Sequence, residues 1–196
     1  MSRPSLKTVR SAEILDAFEK CVARFGLEGA TQDRIAEEAG VKRTLLRHYL
    51  GNRDEMIDAL IDHVTAKFDN ETALMVAALP DKDRVASLIK ILFGPQGVSD
   101  INLVMVFQAL SNASDQHPKA RTSILGAVDR MVAAIDGELA NTFPDADAKQ
   151  RTAVAFGVTQ LYFSIDSIAM LTPPASWWAR AKSSAQILIS SLEASQ

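Results

Sequence analysis

Apolar residues recur along almost the whole chain at three- and four-residue spacings, the period of one face of an α-helix. Ile14, Ala17, Phe18, Val22 and Phe25 set out a first helix. Thr31 then suits an N-cap, with Asp33 in the first turn, and Ile35, Ala36 and Ala39 share one face. Gly40 stands where a helix stops most cheaply, in a backbone conformation of positive φ. Val41, Leu46 and Leu50 resume the pattern, so a second short helix spans about Lys42 to Tyr49. Asn52 and Glu55 have the spacing of a capping box, and Ile57, Leu60, Ile61, Val64 and Phe68 carry the next stripe to about Asn70.

The remainder reads as helix after helix. Pro80 and Asp81 open a segment with Val85, Leu88, Ile89, Leu92 and Phe93 on one side, broken by Gly94-Pro95-Gln96-Gly97. Ile101 to Leu110 is apolar on nearly every face, which predicts a buried helix through the centre of a second domain. Pro118 starts a long helix with Ile124, Leu125, Val128, Met131, Val132, Ile135 and Leu139 aligned, ending at Phe143-Pro144-Asp145. Another runs from about Ala146 to Leu171 and closes at Pro173-Pro174. Ser176 caps a last helix carrying Trp177, Ala181, Ala185, Leu188 and Leu192. The expected fold class is all-α, without internal repeats.

Charge gives the first third of this pattern a function. From Ala39 to Arg53 the charged residues are Lys42, Arg43, Arg47 and Arg53, with His48 among them and no acid. Two helices joined by so tight a turn form a helix-turn-helix, whose second helix lies in the major groove of DNA. Each Lys or Arg that neutralises a phosphate there releases condensed counterions. With Ile35, Ala36, Ala39, Val41, Leu46 and Leu50 turned inward, the opposite face is free for a duplex. Thr31, Gln32, Arg47, Tyr49 and Arg53 are expected to position the DNA backbone. Lys42, Arg43, Thr44 and His48 are expected to read base edges, and Leu45 to touch a thymine methyl. The basic arm of Arg3, Lys7 and Arg10 either enters a neighbouring minor groove or is simply solvated.

On these residues the chain resembles the TetR family of bacterial transcriptional regulators. The match is carried by Ile14, Leu15, Ala17, Phe25, Gly29, Thr31, Ile35, Ala36, Ala39, Gly40, Val41, Leu46, Tyr49 and Arg53. There are two departures. Arg47 stands where the family usually has a phosphate-contacting Tyr, and Leu50 replaces the usual closing Phe. The resemblance covers roughly the first third of the chain. It implies a three-helix DNA-binding domain over residues 1–53, followed by a larger helical ligand-binding and dimerisation domain over 54–196. It further implies a homodimer on a palindromic operator in double-stranded DNA, and a small-molecule effector. Effector binding would shift the first long connecting helix and spread the recognition helices.

The charge balance fits a two-part protein. Through Arg53 there are ten Lys and Arg against seven Asp and Glu, and after it eleven against seventeen, for a net charge of −3 over 196 residues. An acidic remainder limits nonspecific adhesion to nucleic acid. Small residues on the last two helices (Ala153, Gly157 and Ser164; Ala181, Ser184 and Ala185) permit close helix approach, either in a four-helix dimer interface or within one chain. Candidate effector-pocket residues are Phe93, Met105, Phe107, Gln108, Met131, Tyr162, Phe163, Asp166 and Met170, each of which also suits a plain core. Asp166 could meet a cationic ligand group, an arginine of the chain, or solvent at the dimer seam.

Nothing in the spacing suggests an enzyme. His48, His63 and His117 are not placed with Cys, Asp or Glu as a metal ligand set would be, and Asp58, Asp62 and His63 read as a solvated helix face. No phosphate-binding loop or nucleophile elbow is present, and no cofactor or metal is expected. Met1 to Arg10 lacks the apolar core of a secretory signal, and no run of about 18 apolar residues spans a bilayer. The lone Cys21 belongs to the apolar face of the first helix. A cytoplasmic transcriptional repressor released by its effector is the expected function. The rival is an all-helical ligand-binding or adaptor protein that uses its helix-turn-helix for protein contact.

Overall fold

The computed structural model describes residues 6–94 and 99–193. Arg3 of the basic arm and the Pro95–Gly97 part of the expected break lie outside the described residues. Among those described, the regular elements are all helical: α1 (Leu6–Gly29), α2 (Gln32–Glu38), α3 (Arg43–Leu50), α4 (Arg53–Ala77), α5 (Arg84–Leu92), α6 (Ile101–Asn112), α7 (Pro118–Thr142), α8 (Ala148–Asp166) and α9 (Ala175–Glu193), with a 3₁₀ turn over Ala169–Leu171. They fall into two compact units, Met1–Phe68 with Asp100–Gly126, and Asp69–Ser99 with Ala127–Gln196.

The first unit is built on α1. Ile14, Phe18, Cys21 and Val22 form its buried face, and they meet Ile35 and Ala36 of α2, Leu46 and Leu50 of α3, and Leu60, Ile61 and Val64 of α4 in one core. Fully burying a side chain of this size contributes about 1.5–3 kcal/mol, so this core outweighs any exposed ion pair around it. Burial also pushes the Cys21 thiol above its ordinary range, in keeping with a packing role. Ile35 and Leu46 are wholly inaccessible, which fixes the rotation of both short helices about their axes.

The contact map corrects the expectation for Ile101–Leu110. This helix packs most extensively against α1, in the first unit rather than at the centre of the second. Leu103, Val106 and Leu110 are buried at spacings of three and four, whereas Ile101 and Gln108 are exposed and the others are partly covered. Apolar composition all round therefore conceals an ordinary one-sided helix.

In the second unit, Val85, Leu88, Ile89 and Leu92 of α5 share a core with Met131, Ile135 and Leu139 of α7, Val154, Val158 and Tyr162 of α8, and Ala185, Ile189 and Leu192 of α9. Arg84 serves this unit twice. It donates from Nε and Nη2 to the two carboxylate oxygens of buried Glu138 at 2.7 and 2.8 Å, and it reaches the carbonyls of Val76 and Leu79 near the end of α4. The bidentate pair holds the Glu138 carboxyl below its ordinary range, the Arg84 hydrogen bonds outweighing burial.

Element ends differ from expectation in three places. Helix α4 continues past Asn70 to Ala77, and α5 begins only at Arg84, after Asp83 in a left-handed conformation (φ 55°). Helix α8 stops at Asp166, and the chain reaches Leu171 through the 3₁₀ turn before Thr172 adopts φ 49°. By length and composition the segment Ala148–Leu171 is also apolar enough to cross a membrane, contrary to the sequence expectation. Its Val154, Ala155, Val158 and Ile165 are core residues of the second unit.

The exit from α3 is tightly specified. Gly51 has φ 83° and ψ −149°, and a Cβ there would collide with the Glu55 carboxylate. That carboxylate accepts from Asn52 N at 2.7 Å while Asn52 Oδ1 accepts from Glu55 N at 3.0 Å, completing the expected capping box. Gly51→Ala should cost about 1–3 kcal/mol in urea unfolding, because only glycine is comfortable in this region. An unchanged midpoint would show that the turn relaxes without strain.

Candidate nucleic-acid interface

The interface is assembled from the cap of α2 and the outer face of α3. Thr31 Oγ1 accepts from Arg34 N at 3.4 Å as the N-cap of α2. Gly40 (φ 62°) turns the chain, and Val41 N returns to the Ala36 carbonyl at 2.9 Å. Lys42 is the N-cap residue of α3, one place earlier than the helix proper. With Leu46 and Leu50 held in the core, Lys42, Arg43, Thr44, Leu45, Arg47 and His48 are all exposed, and Tyr49 is half-buried with its ring edge-on to His48. Thr31 is exposed beside them and Gln32 half-buried. Seven of the ten residues expected to meet DNA are thus exposed, with Gln32 and Tyr49 partly covered beside them.

Arg43 is already engaged. Its Nη1 lies 3.2 Å from both Asp33 carboxylate oxygens, and its Nε donates to Gln32 Oε1 at 3.2 Å. All of this is solvent-exposed, and such a pair contributes at most about 1 kcal/mol, so a phosphate or guanine edge can displace it. Asp33 therefore orients the guanidinium at the start of α3. The sequence pattern, which counted no acid from Ala39 to Arg53, did not show that α2 supplies one.

Arg53 is placed differently from a side chain held out to a phosphate. Its guanidinium donates to the carbonyls of Leu27 at 2.6 Å and Ala30 at 2.9 Å, and stacks over the Phe18 ring at 5.0 Å. Those carbonyls lie at the end of α1 and just beyond it, where a helix leaves acceptors without intrahelical donors and where α1 itself carries no basic residue in its last turn. Arg34 adds a third bond there, to the Gly29 carbonyl at 2.7 Å, with its guanidinium over the Phe25 ring. Partial burial lowers the Arg53 pKa from its ordinary value.

The expected effector-pocket residues divide between the units. Met105, Phe107 and Gln108 lie in the first; Phe93, Met131, Tyr162, Phe163, Asp166 and Met170 lie in the second. Gln108 is exposed rather than buried, and Met170 is 49% exposed. Asp166, only 4% exposed, pairs with no arginine among the described residues: it accepts from Ser99 N at 3.1 Å, and Ser99 Oγ is 2.7 Å from the Tyr162 hydroxyl. Burial raises the Asp166 pKa, and burial with the nearby Asp166 charge pushes Tyr162 up to about 12. Of the small residues on α8 and α9, Ala185 is wholly buried where these two helices pack, and a Cβ on Gly157 would press on Leu188. Ala153, Ser164 and Ser184 stay exposed, with Phe156 and Ile187 beside them at 53% and 70% exposure.

A three-helix module that presents an exposed basic helix and buries the other face is a helix-turn-helix. Residues 14–60 match the family model of bacterial regulatory proteins, tetR family. The chain is 31% identical over 94 residues to the HTH-type transcriptional regulator BetI of Rhizobium meliloti, covering 47% of this chain and 46% of that one. It is 24% identical over 152 residues to BetI of Burkholderia thailandensis, covering 76% and 77%. The chain thus spans under half of the first relative and about three quarters of the second. In fold it is similar to the crystal structure of a candidate transcriptional regulator from Pseudomonas aeruginosa PAO1, with a TM-score of 0.76, 20% identity and coverage of 95% and 91%. Residues 14–60 of the chain thus match the DNA-binding part of the tetR family of bacterial regulatory proteins, and the whole chain shares its fold with a solved candidate regulator.

Two measurements follow from these side chains. Arg53→Ala should destabilise the protein by about 1–3 kcal/mol by leaving carbonyls of α1 unsatisfied, with Arg53→Lys recovering only part. Full stability together with lost DNA binding would make Arg53 a phosphate contact instead. For Asp166 the folded pKa lies above the unfolded one, so its contribution is fully present below the ordinary aspartate range and is lost as pH rises through the folded value. The stability advantage of wild type over Asp166→Asn should accordingly shrink from acid toward neutral pH in urea titrations. A constant or widening gap would contradict the burial effect.

Proposed function

We propose that the protein is a homodimeric repressor that occupies a palindromic operator and is released by a small molecule. The observation that carries this reading is the exposed α3 surface of Lys42, Arg43, Thr44, Leu45, Arg47 and His48, set on a module whose opposite face is core. In it Arg47, together with Thr31, Gln32 and Tyr49, positions the phosphate backbone. Arg43, Lys42, Thr44 and His48 read base edges, and Leu45 meets a thymine methyl. The functional division is a DNA-binding part over 1–53 and a regulatory part over 54–196.

The exposed apolar side chains of α8 and α9, Phe156 and Ile187, support dimerisation through these helices, since a single short recognition helix gives little specific affinity alone. Seating such a dimer over a promoter excludes polymerase. Buried Tyr162 and Asp166 with partly covered Ser99, and Phe93 and Met131 buried in the same unit, support an effector site of apolar wall and few polar groups. An effector releases DNA only by binding one conformation better than the other. Relatives named as transcriptional regulators support a cytoplasmic, non-catalytic role.

The test is binding to a selected duplex across a range of salt. Arg47→Ala should weaken all sequences alike and reduce the salt slope by about one, while Arg43→Ala should cost about 1–3 kcal/mol and relax preference at one base pair. Binding insensitive to salt and to both substitutions would overturn the reading in favour of an adaptor that uses this motif for protein contact.

A further inference from the structure

Away from the DNA-facing surface, α1 and α4 bring together three groups whose sequence positions gave no hint of each other. Asp16 and Glu19 stand three residues apart on α1, hence on one face, and His63 approaches them from α4. His63 Nε2 lies 3.1 Å from Asp16 Oδ1 and 3.4 Å from Glu19 Oε2, and the ligand atoms of all three lie within 4.8 Å of one another. Glu19 is only 3% exposed. Both its Oε2 and His63 Nε2 are buried without a hydrogen-bond partner among the described residues, although they face each other at ion-pair distance. A native core rarely leaves a carboxylate oxygen and an imidazole nitrogen facing each other unsatisfied.

The spacing and the charge suit a cation. Metal–ligand bonds of about 2.0–2.2 Å put neighbouring donors about 3.0–3.5 Å apart in octahedral or tetrahedral geometry, which brackets the two measured separations. On the far side, Lys67 Nζ donates to Glu19 Oε1 at 2.7 Å and to Asp100 Oδ2 at 3.0 Å, which fixes the Glu19 carboxylate with its second oxygen toward His63. The carboxylates of Asp16, Glu19 and Asp100 against the Lys67 ammonium leave two negative charges, which a divalent ion would balance. Imidazole nitrogen with carboxylate oxygens selects a first-row transition ion of the zinc class over calcium or magnesium, and water would complete its coordination.

We propose that Asp16, Glu19 and His63 form a site for a divalent first-row transition metal that clamps α1 to α4. Because α1 also carries the core face against which α3 packs, a bound ion would brace the helix-turn-helix from behind. This proposal stands apart from the repressor reading, since it is tested without DNA or effector.

The probe is CoCl₂, titrated into chelator-treated full-length protein and followed by visible d–d absorption, with ZnCl₂ as competitor. Saturable uptake of one ion per chain, displaced by zinc, is expected. Asp16→Asn and His63→Gln should each weaken it about 10-fold or more, while His48→Gln and His117→Gln leave it unchanged. The Asp16 side chain is 60% exposed, so that variant tests the site even if the His63 variant folds poorly. No saturable uptake, or uptake equal in Asp16→Asn and wild type, would overturn the proposal and leave the cluster as an ion pair between helices.

Discussion

The recognition surface depends on how the end of α1 is finished. A helix terminus leaves carbonyls that must find donors, and here the donors are guanidinium groups from later in the chain. Arg53, at the first residue of α4, takes the Leu27 and Ala30 carbonyls and lies on Phe18, and Arg34 of α2 takes Gly29. Three helices are thereby tied to one point, and α3 is suspended between two of those ties. The core beneath it, Ile35 against Leu46 and Leu50, then sets the rotation of α3 about its own axis. Together these contacts decide which side chains of α3 face solvent, before any charge is considered.

Charge acts on that fixed frame. The arginines divide by exposure: Arg53 is desolvated and spent on backbone, whereas Arg43 and Arg47 are open to solvent. The Arg43–Asp33 pair is too exposed to contribute much to stability, so its consequence is orientation, with the guanidinium held ready at the entrance of α3. In the second unit, Arg84 links buried Glu138 to the carbonyls near the end of α4 in the manner of Arg53. Both units thus use an arginine near the start of one helix to close the end of another.

What was legible in the sequence was local. The caps at Thr31 and Asn52, the stop at Gly40 and the buried positions of α2 and α3 depend on spacing within a few residues, and they appear where expected. Long-range placement was not legible. Ile101–Leu110 looked central because its composition is apolar, yet only a partner can decide which face is buried, and that partner is α1. Gln108 looked like a buried polar group and is exposed, while Asp166 is buried with a backbone donor, Ser99, that no pattern announces. Arg53 matches a basic position beside the recognition helix, but its role depends on carbonyls more than twenty residues earlier. The Asp16–Glu19–His63 cluster was hidden for the same reason: its members come from different helices.

The account rests on α3 being a rigid DNA-reading surface, and selection from a randomised duplex pool tests that most directly. Purified full-length protein should enrich a palindromic consensus, with half-sites about one helical turn or a small multiple apart. Binding to that consensus should fall steeply with salt, as counterion release requires. Failure to enrich any sequence at any salt concentration would contradict the account, because a surface so exposed and so fixed would then be serving some other partner.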